Sequence, residues 1–224
     1  MAKLSALQLL QEVQLNNGLS TDTALTALTG LNYKIWQYIQ EGIYSIGVND
    51  NWSDLEADGT ITLADGTATY TIPTDLNQAD KYSFRYNESK NLKWYSPQEV
   101  DDIYPTQTGT GAPKGVYEWN GNYHMINTAG AAEASKTVKY RYWSIPTVLS
   151  TDTATGTSWF PEGFDRTVLV NWATFKTMQY RHQDEFKEYK RKVFGGDGEP
   201  GYLNEMRRIH RSPSANRVRV TAIF

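Results

Sequence analysis

The sequence predicts an α+β protein, in which a helical bundle carries an inserted small antiparallel β-sandwich or barrel. Two periodicities indicate this. Apolar residues recur at helical spacing before residue 50 and again over residues 161–194, whereas between residues 52 and 146 they alternate with polar residues. Helices that flank a run of short strands are typical of the α+β class.

These periodicities set the expected domain boundaries. The helical core comprises residues 1–50 and 159–194, and the inserted β domain comprises residues 51–146. A threonine-rich linker loop, residues 147–158, returns the chain to the helices. Residues 195–224 form an extended C-terminal arm.

The first two predicted helices form an N-terminal pair. The first covers residues 3–17 and stops at Asn17-Gly18. The second begins near Ser20 or Thr21, where several polar side chains suit a helix N-cap, and ends at Gly47. Because the link between them is short, we expect the two helices to pack antiparallel and to need a third partner.

The β region is predicted from alternation and turn signals. Residues 61–72 read as a hairpin closed by Asp65-Gly66, and Asn120-Gly121 closes a second hairpin. Further strands are expected at residues 82–86, 92–95 and 138–142, with a short helical turn starting at Pro97.

One long amphipathic helix is expected over residues 161–194. Pro161 suits its first turn, Lys190 and neighbouring cations suit its last turn, and Gly195-Gly196 ends it. Gly195, Gly196 and Gly198 then form a hinge. A short helix near residues 202–211 and an extended end, residues 217–224, complete the arm.

The amino-acid composition excludes several classes of function. The chain has 224 residues, no cysteine and a net charge of -3, so disulfides, thiol nucleophiles and a global attraction to nucleic acid are excluded. No apolar run is long enough to cross a bilayer, and no signal peptide is evident, so we expect a protein that stays in the cytoplasm where it is made. Aromatic residues make up 13% of the chain, which favours contact with other proteins.

The motifs with catalytic or metal-binding potential are weak. Residues 54–65 carry carboxylates at calcium-loop spacing, but the sequence after them alternates like a strand, so a solvated acidic turn is favoured. Residues 109–115 resemble a phosphate loop without its Gly-Lys-Ser/Thr ending. The remaining candidates share no ligand or nucleophile spacing: His124, His182, His210, Asp101, Asp102 and Glu118. We therefore expect no enzyme activity, no cofactor and no metal.

The C-terminal arm carries the main charge asymmetry. Its arginines occur at helical spacing in one part and alternate with valine in the other, and its last residues are apolar. Three interpretations remain open: phosphate contacts with nucleic acid, addition of the end as a strand to a partner's open sheet edge, and a disordered tail. The candidate partner-binding residues are Arg207, Arg208, Arg211, Arg217, Arg219, Ile223 and Phe224.

The order of these parts resembles the head-to-tail adaptor (connector) proteins of tailed bacteriophages. The resemblance covers residues 20–194 and leaves the arm outside it. Its motifs follow the helical pair and Trp52: GTATYTIPTDL at residues 66–76, GVYEW at 115–119, VKYRYWSIP at 138–146, and Phe160-Pro161 before the long helix.

The resemblance implies a structural virion protein without catalytic residues. It implies a homo-oligomeric ring of about twelve copies between the portal protein and the next tail or neck protein. The helices would line a channel through which the genome DNA passes without sequence-specific binding, and the arm would reach the portal. The protein would be made in the host cytoplasm and located in the neck of the virion, away from any membrane.

The alternative function is a carbohydrate- or receptor-binding module. Its motivation is a set of aromatic residues predicted on one sheet, whose faces could stack on sugars. Such a module requires them in an exposed row. The residues are Trp94, Tyr95, Trp119 and Tyr123.

Overall fold

The fold was determined from a computed structural model, which describes residues 2–106, 109–196 and 198–211. The described residues divide into two compact units. The described residues of the helical unit lie within 2–55 and 145–211, and those of the β unit lie within 56–144. The described ranges contain six α-helices and several short sheets, so the fold class is α+β, as the sequence predicts. No helix among the described residues could span a bilayer.

The helical unit begins with helix α1, Ala6–Asn16. Ser5 caps it: its hydroxyl accepts a hydrogen bond from the Gln8 amide, and the Gln8 side chain accepts one from the Ser5 amide. One face of the helix is buried, including Leu9, Leu10 and Val13. The capping box and the apolar stripe therefore both favour this helix.

Helix α2, Gly30–Asn49, starts ten residues later than the sequence predicts. Ala27 and Gly30 have positive φ angles, so a right-handed helix cannot run continuously through them from residue 20. The preceding segment is held by Gln14, whose side chain bonds both the backbone amide and the carboxylate of Asp22. The helix also continues past Gly47, where the sequence predicts its end. Gly47 packs against the Pro146 ring, and an added Cβ there would lie 2.5 Å from the Pro146 Cγ atom.

The predicted long helix is wrong, because the segment folds into three helical pieces. A π-helical turn, Asp165–Val170, leads into helix α4, Asn171–Tyr180, and helix α5 follows at Phe186–Phe194. In a continuous helix, Trp172 and Phe194 would be about 33 Å apart. Their ring centroids are 5.7 Å apart, because the chain reverses near His182, where φ is +57°.

After α5, a two-residue strand pair and one more helix end the described chain. Strands β10, Gly195–Gly196, and β11, Glu199–Pro200, pair antiparallel. Helix α6, Tyr202–His210, follows directly, as the sequence predicts. The core of the helical unit draws on α1, α2, the π-helical turn, α4, α5 and α6.

The β unit contains two sheets that share an apolar core. The strands of the first are β1, Glu56–Thr62; β3, Leu76–Ala79; β4, Arg85–Tyr86; β5, Lys90–Asn91; and β9, Thr137–Ser144. The strands of the second are β2, Thr69–Thr71; β6, Lys93–Trp94; β7, Gly115–Trp119; and β8, Asn122–Ile126. Phe84 stacks on Tyr140 and meets Tyr123 edge-on between them.

Two of the predicted local structures in the β unit are confirmed. Strands β7 and β8 form the hairpin at Asn120-Gly121, with both turn residues at positive φ as a type I′ turn requires. Helix α3, Pro97–Ile103, follows its N-cap residue Ser96.

The predicted hairpin over residues 61–72 is wrong. Strand β1 pairs with β9 and β2 pairs with β8, so they belong to different sheets. Leu63 extends the ladder towards β9, because its amide donates to the Lys136 carbonyl and its carbonyl accepts from the Ser135 amide. The Gly66 turn therefore passes the chain from one sheet to the other.

Candidate partner-binding surfaces

The predicted glycine hinge is a tight reversal between α5 and α6. Gly195 has a φ of +86°, and it faces Pro200 across the β10–β11 pair. A Cβ added to Gly201 would lie 2.2 Å from the Gly195 nitrogen and 2.3 Å from the Val193 carbonyl oxygen. Gly196 and Gly198 lie within the same reversal. The backbone is thus closely packed at the predicted hinge.

Helix α6 folds back onto the helical unit. Leu203 and Met206 are buried in the core of that unit, and the His210 ring meets Phe164 at 5.6 Å. The sequence predicts an extended arm, but this part of it is docked. Sequence reasoning missed this because Leu203 and Met206 are the only large apolar residues on the buried face of a short, charged helix.

Two of the predicted partner-binding arginines form ion pairs within the chain. The Arg207 Nε lies 2.5 Å from an Asp50 carboxylate oxygen, and an Arg211 guanidinium nitrogen lies 3.6 Å from the other. The Asp50 side chain is only 10% exposed. Because one shielded carboxylate binds both arginines, their charges contribute to holding α6 in place.

The outer face of α6 is exposed within the described part of the chain. Arg208 is exposed and Ile209 is 54% exposed, with Tyr202 and Glu205 also facing solvent. Of the helical arginines predicted to bind a partner, Arg208 is therefore the one presented outward. The other predicted residues lie outside the described part of the chain: Arg217, Arg219, Ile223 and Phe224.

The aromatic residues of the alternative function do not form an exposed row. Tyr123 and Tyr95 are buried, Trp94 is half-buried, and Trp119 alone of the set is mostly exposed, at 60%. Burial raises the pKa of Tyr123 well above its usual range, so this residue stays neutral within the core. Trp94 and Trp119 border a groove of about 320 Å³, together with Lys81 and Glu118. The platform that stacking on an extended glycan requires is absent from this set.

A charged cavity of about 640 Å³ lies on the first sheet of the β unit. Lys139 and Arg85, which are register partners, line it, and Arg141 faces Asp58 across the β1–β9 pair. Most of this charge is paired locally, since Arg141 binds Asp80 at 3.2 Å and Lys139 binds Glu88. The pKa of Glu88 is lowered by its hydrogen bond to Lys139.

The weak chemical motifs remain separate in the structure. Strand β1 occupies most of the calcium-like segment, so its carboxylates follow an extended strand and do not curl around an ion. Residues 109–115 lead into strand β7, without the helix that a phosphate loop needs. His124 bonds Thr69, and His210 lies near Asp54. Within the described ranges, no group of three metal-binding side chains occurs.

Comparison with known proteins gives one family. A family model described as SU10 adaptor protein matches residues 5–219, which is almost the whole chain. A comparison with curated proteins gave no significant match. The family match extends past α6 into the end of the arm.

Proposed function

The chain belongs to the SU10 adaptor protein family, a family of phage head-to-tail adaptors, and we propose that it forms a ring between the portal and the tail of the virion. Membership of this family makes the chain a structural adaptor of a bacteriophage virion. The ring, its position in the neck, its neighbours and its channel are what we propose in addition. The family match over residues 5–219 is the observation that carries it.

In this proposal the protein acts by binding and not by catalysis. Its partners are the portal protein on one side, a tail or neck protein on the other, and further copies of the chain, in a ring of about twelve. The genome DNA passes through the ring without base-specific contacts. The heavy use of aromatic residues, at 13% of the chain, suits large protein interfaces.

We assign portal contact to the C-terminal segment, and within its described part to the outer face of α6. Docking of Leu203 and Met206 fixes the direction in which Arg208 and Ile209 point. A charged residue beside an exposed aliphatic one can supply both an ion pair and buried apolar area at an interface. Arg207 and Arg211 support this surface indirectly, because their bonds to Asp50 hold the helix.

The test is binding of the full chain to its portal ring. Replacing Arg208→Glu together with Ile209→Asp should weaken binding by about tenfold or more, since hot-spot side chains at interfaces contribute about 2 kcal/mol. Lys187→Glu on α5 is the matched control, because it reverses another exposed positive charge in the same unit. Native mass spectrometry of the mixture counts the copies in each complex.

The binding assay separates failure of the assigned α6 surface from failure of the proposed adaptor position. Retained portal binding by the α6 variant would contradict the assigned surface, and absence of any complex between the wild-type chain and portal rings would contradict the adaptor position itself. Equal loss in the Lys187→Glu control would indicate a general charge effect.

A further inference from the structure

The charged cavity on the first sheet of the β unit has no role in the proposed ring. Its volume of about 640 Å³ lies within the range of about 300–1,000 Å³ that is usual for ligand sites. Most ligand sites are lined by apolar side chains, but this cavity is not. Its charged lining residues are Asp58, Arg85, Glu88, Lys139 and Arg141. A ligand that fills it must therefore be charged or strongly polar.

Two cations of this lining are direct neighbours. Arg85 of β4 and Lys139 of β9 are register partners in an antiparallel pair, so their Cβ atoms lie about 5 Å apart on the same face of the sheet. Like charges placed directly opposite each other destabilise a sheet. The other positions of this cross-strand row are the neutral Thr60 on β1 and Asn91 on β5. The sheet thus holds two adjacent positive charges in a row without a carboxylate.

The nearby carboxylates leave one of the three cations without an ion pair. Arg141 binds Asp80 at 3.2 Å, and Lys139 binds Glu88. Within the described ranges, the exposed Arg85 forms neither an ion pair nor a side-chain hydrogen bond. The cavity therefore carries an uncompensated positive charge directly beside Lys139.

Glu88 shows which anionic group these cations accept. It lies in the turn between β4 and β5 with a φ of +63°, a conformation that is uncommon for glutamate. Its carboxylate accepts a hydrogen bond from the Lys139 ammonium group, and 70% of its side chain is exposed. Because an exposed ion pair of this kind is weak, a carboxylate from another molecule can displace Glu88 or share Lys139 with it.

The mixed charge of the cavity favours a protein segment over nucleic acid. Asp58 lines the cavity together with Glu88, and it faces Arg141 across the β1–β9 pair. Duplex DNA carries one negative charge about every 1.7 Å along its axis, so its backbone would also meet these carboxylates. A polypeptide can place one carboxylate beside Arg85 and a neutral or cationic side chain beside Asp58. Charge complementarity therefore selects an acidic protein segment.

We propose that this cavity binds an acidic segment of a partner protein, with one carboxylate held between Arg85 and Lys139. The Arg85 guanidinium group offers two parallel N–H donors that match a carboxylate, and the Lys139 ammonium group acts as a point charge. The Thr60 side chain borders the same site. This binding function goes beyond the proposed ring and does not depend on it, because it concerns a partner of the β unit alone.

A nuclear magnetic resonance titration of the isotope-labelled full-length chain tests the proposal. The probe is a peptide of about eight residues in which glycine and glutamate alternate. Its carboxylates then lie about 7 Å apart along one side, as Lys139 and Arg141 do along β9. We expect saturable shifts of the backbone amide signals of β4 and of the central part of β9. A peptide with glutamine in place of glutamate should produce none.

Two substitutions separate this site from a general effect of charge. Arg85→Gln should weaken binding of the glutamate peptide by about fivefold, which corresponds to about 1 kcal/mol, because the unpaired cation is lost. Glu88→Gln should strengthen binding by about threefold, because the internal competitor for Lys139 is removed. Lys93→Gln is the matched control, since it removes an exposed positive charge from the other sheet of the same unit. The amide spectrum of each variant also shows whether it is folded.

Any of four results would overturn the proposal. The first is absence of saturable shifts with the glutamate peptide, and the second is equal shifts with the glutamine peptide. The third is equal weakening of binding by Lys93→Gln and Arg85→Gln. The fourth is tighter binding of a DNA duplex at the same residues, because the cavity would then be a nucleic-acid site. The titration uses the chain without portal rings, so its outcome is independent of the proposed ring.

Discussion

The contact between Asp50 and the C-terminal helix permits a quantitative test. In Asp50→Asn the carboxylate that holds Arg207 and Arg211 becomes neutral, while the shape of the side chain is kept. A hydrogen bond to a charged group contributes about 1.5–3 kcal/mol. The Arg207 side chain is 39% exposed, so solvent screens part of this, and we expect α6 to lose about 1–2 kcal/mol of its docking free energy.

Hydrogen exchange of the backbone amides measures this loss directly. A change of about 1–2 kcal/mol accelerates exchange through local opening by about five- to thirtyfold. The acceleration should be confined to amides of α6, whereas amides of α1 and of the β unit should keep their rates. Met206→Ala, which removes a fully buried side chain, should open the same helix further, by about 2–5 kcal/mol.

Glu41→Gln is the control for charge alone. It breaks an ion pair with Lys176 at 2.9 Å, but both of these side chains are more exposed than Asp50. We expect a change below about 1 kcal/mol and no effect on α6. Unchanged exchange of α6 in Asp50→Asn, or an acceleration spread over the whole chain, would refute the assignment of Asp50 as the residue that holds the helix.

Three further predictions concern stability. Burial raises the pKa of Tyr140 to about 12, so the stability of the β unit should be intact below about pH 10, the usual tyrosine pKa, and should fall as pH rises towards 12. Tyr140→Phe should reduce that alkaline loss in urea unfolding, and an identical pH profile would contradict it. Gly201→Ala should destabilise the docking of α6 by about 1–3 kcal/mol, as measured by hydrogen exchange, because the new methyl group would clash with backbone atoms. Gly196→Ala is the control and should be neutral, since its methyl group would contact only the flexible Arg191 side chain. Asp165→Ala should lower the free energy of thermal unfolding of the helical unit by about 1–3 kcal/mol, because the Leu4 amide loses its buried acceptor, and an unchanged melting temperature would exclude that role.

Local signals in the sequence predicted the elements that depend on local interactions. The Asn120-Gly121 hairpin and the helix starting at Pro97 are confirmed, because their turn and capping residues act within a few positions. The short helix after residue 202 is confirmed as well. The strand over residues 138–142 lies within β9.

Long-range contacts decided the elements that the sequence did not predict. The apolar periodicity of residues 161–194 is compatible with one helix, but packing of Phe194 against Trp172 and Phe175 requires a reversal near His182. Likewise, Asp65-Gly66 is a good turn, but pairing of β1 with β9 places the two flanking strands in separate sheets. A turn motif predicts where the chain bends, but it does not predict whether the two flanking strands pair with each other.

The candidate surface was predicted only in outline. The glycines of residues 195–198 and the helix after them were found from composition, but the docking of that helix depends on Asp50, which lies far away in the sequence. The helical spacing of the arginines within residues 202–211 could not reveal which of them form ion pairs inside the fold. Arg208 differs from Arg207 only in the side of the helix on which it lies.

The reversal at Gly195 and Gly201 also affects how the exposed face of α6 can change between related proteins. The axis of the C-terminal helix is set by main-chain atoms that approach too closely for any side chain, so substitutions on its solvent side leave its direction unchanged. A relative could therefore exchange Arg208 and Ile209 to match a different neighbour without redesigning the scaffold. The glycines set the direction of the helix and the exposed side chains set what it binds, so either set can change in evolution without the other.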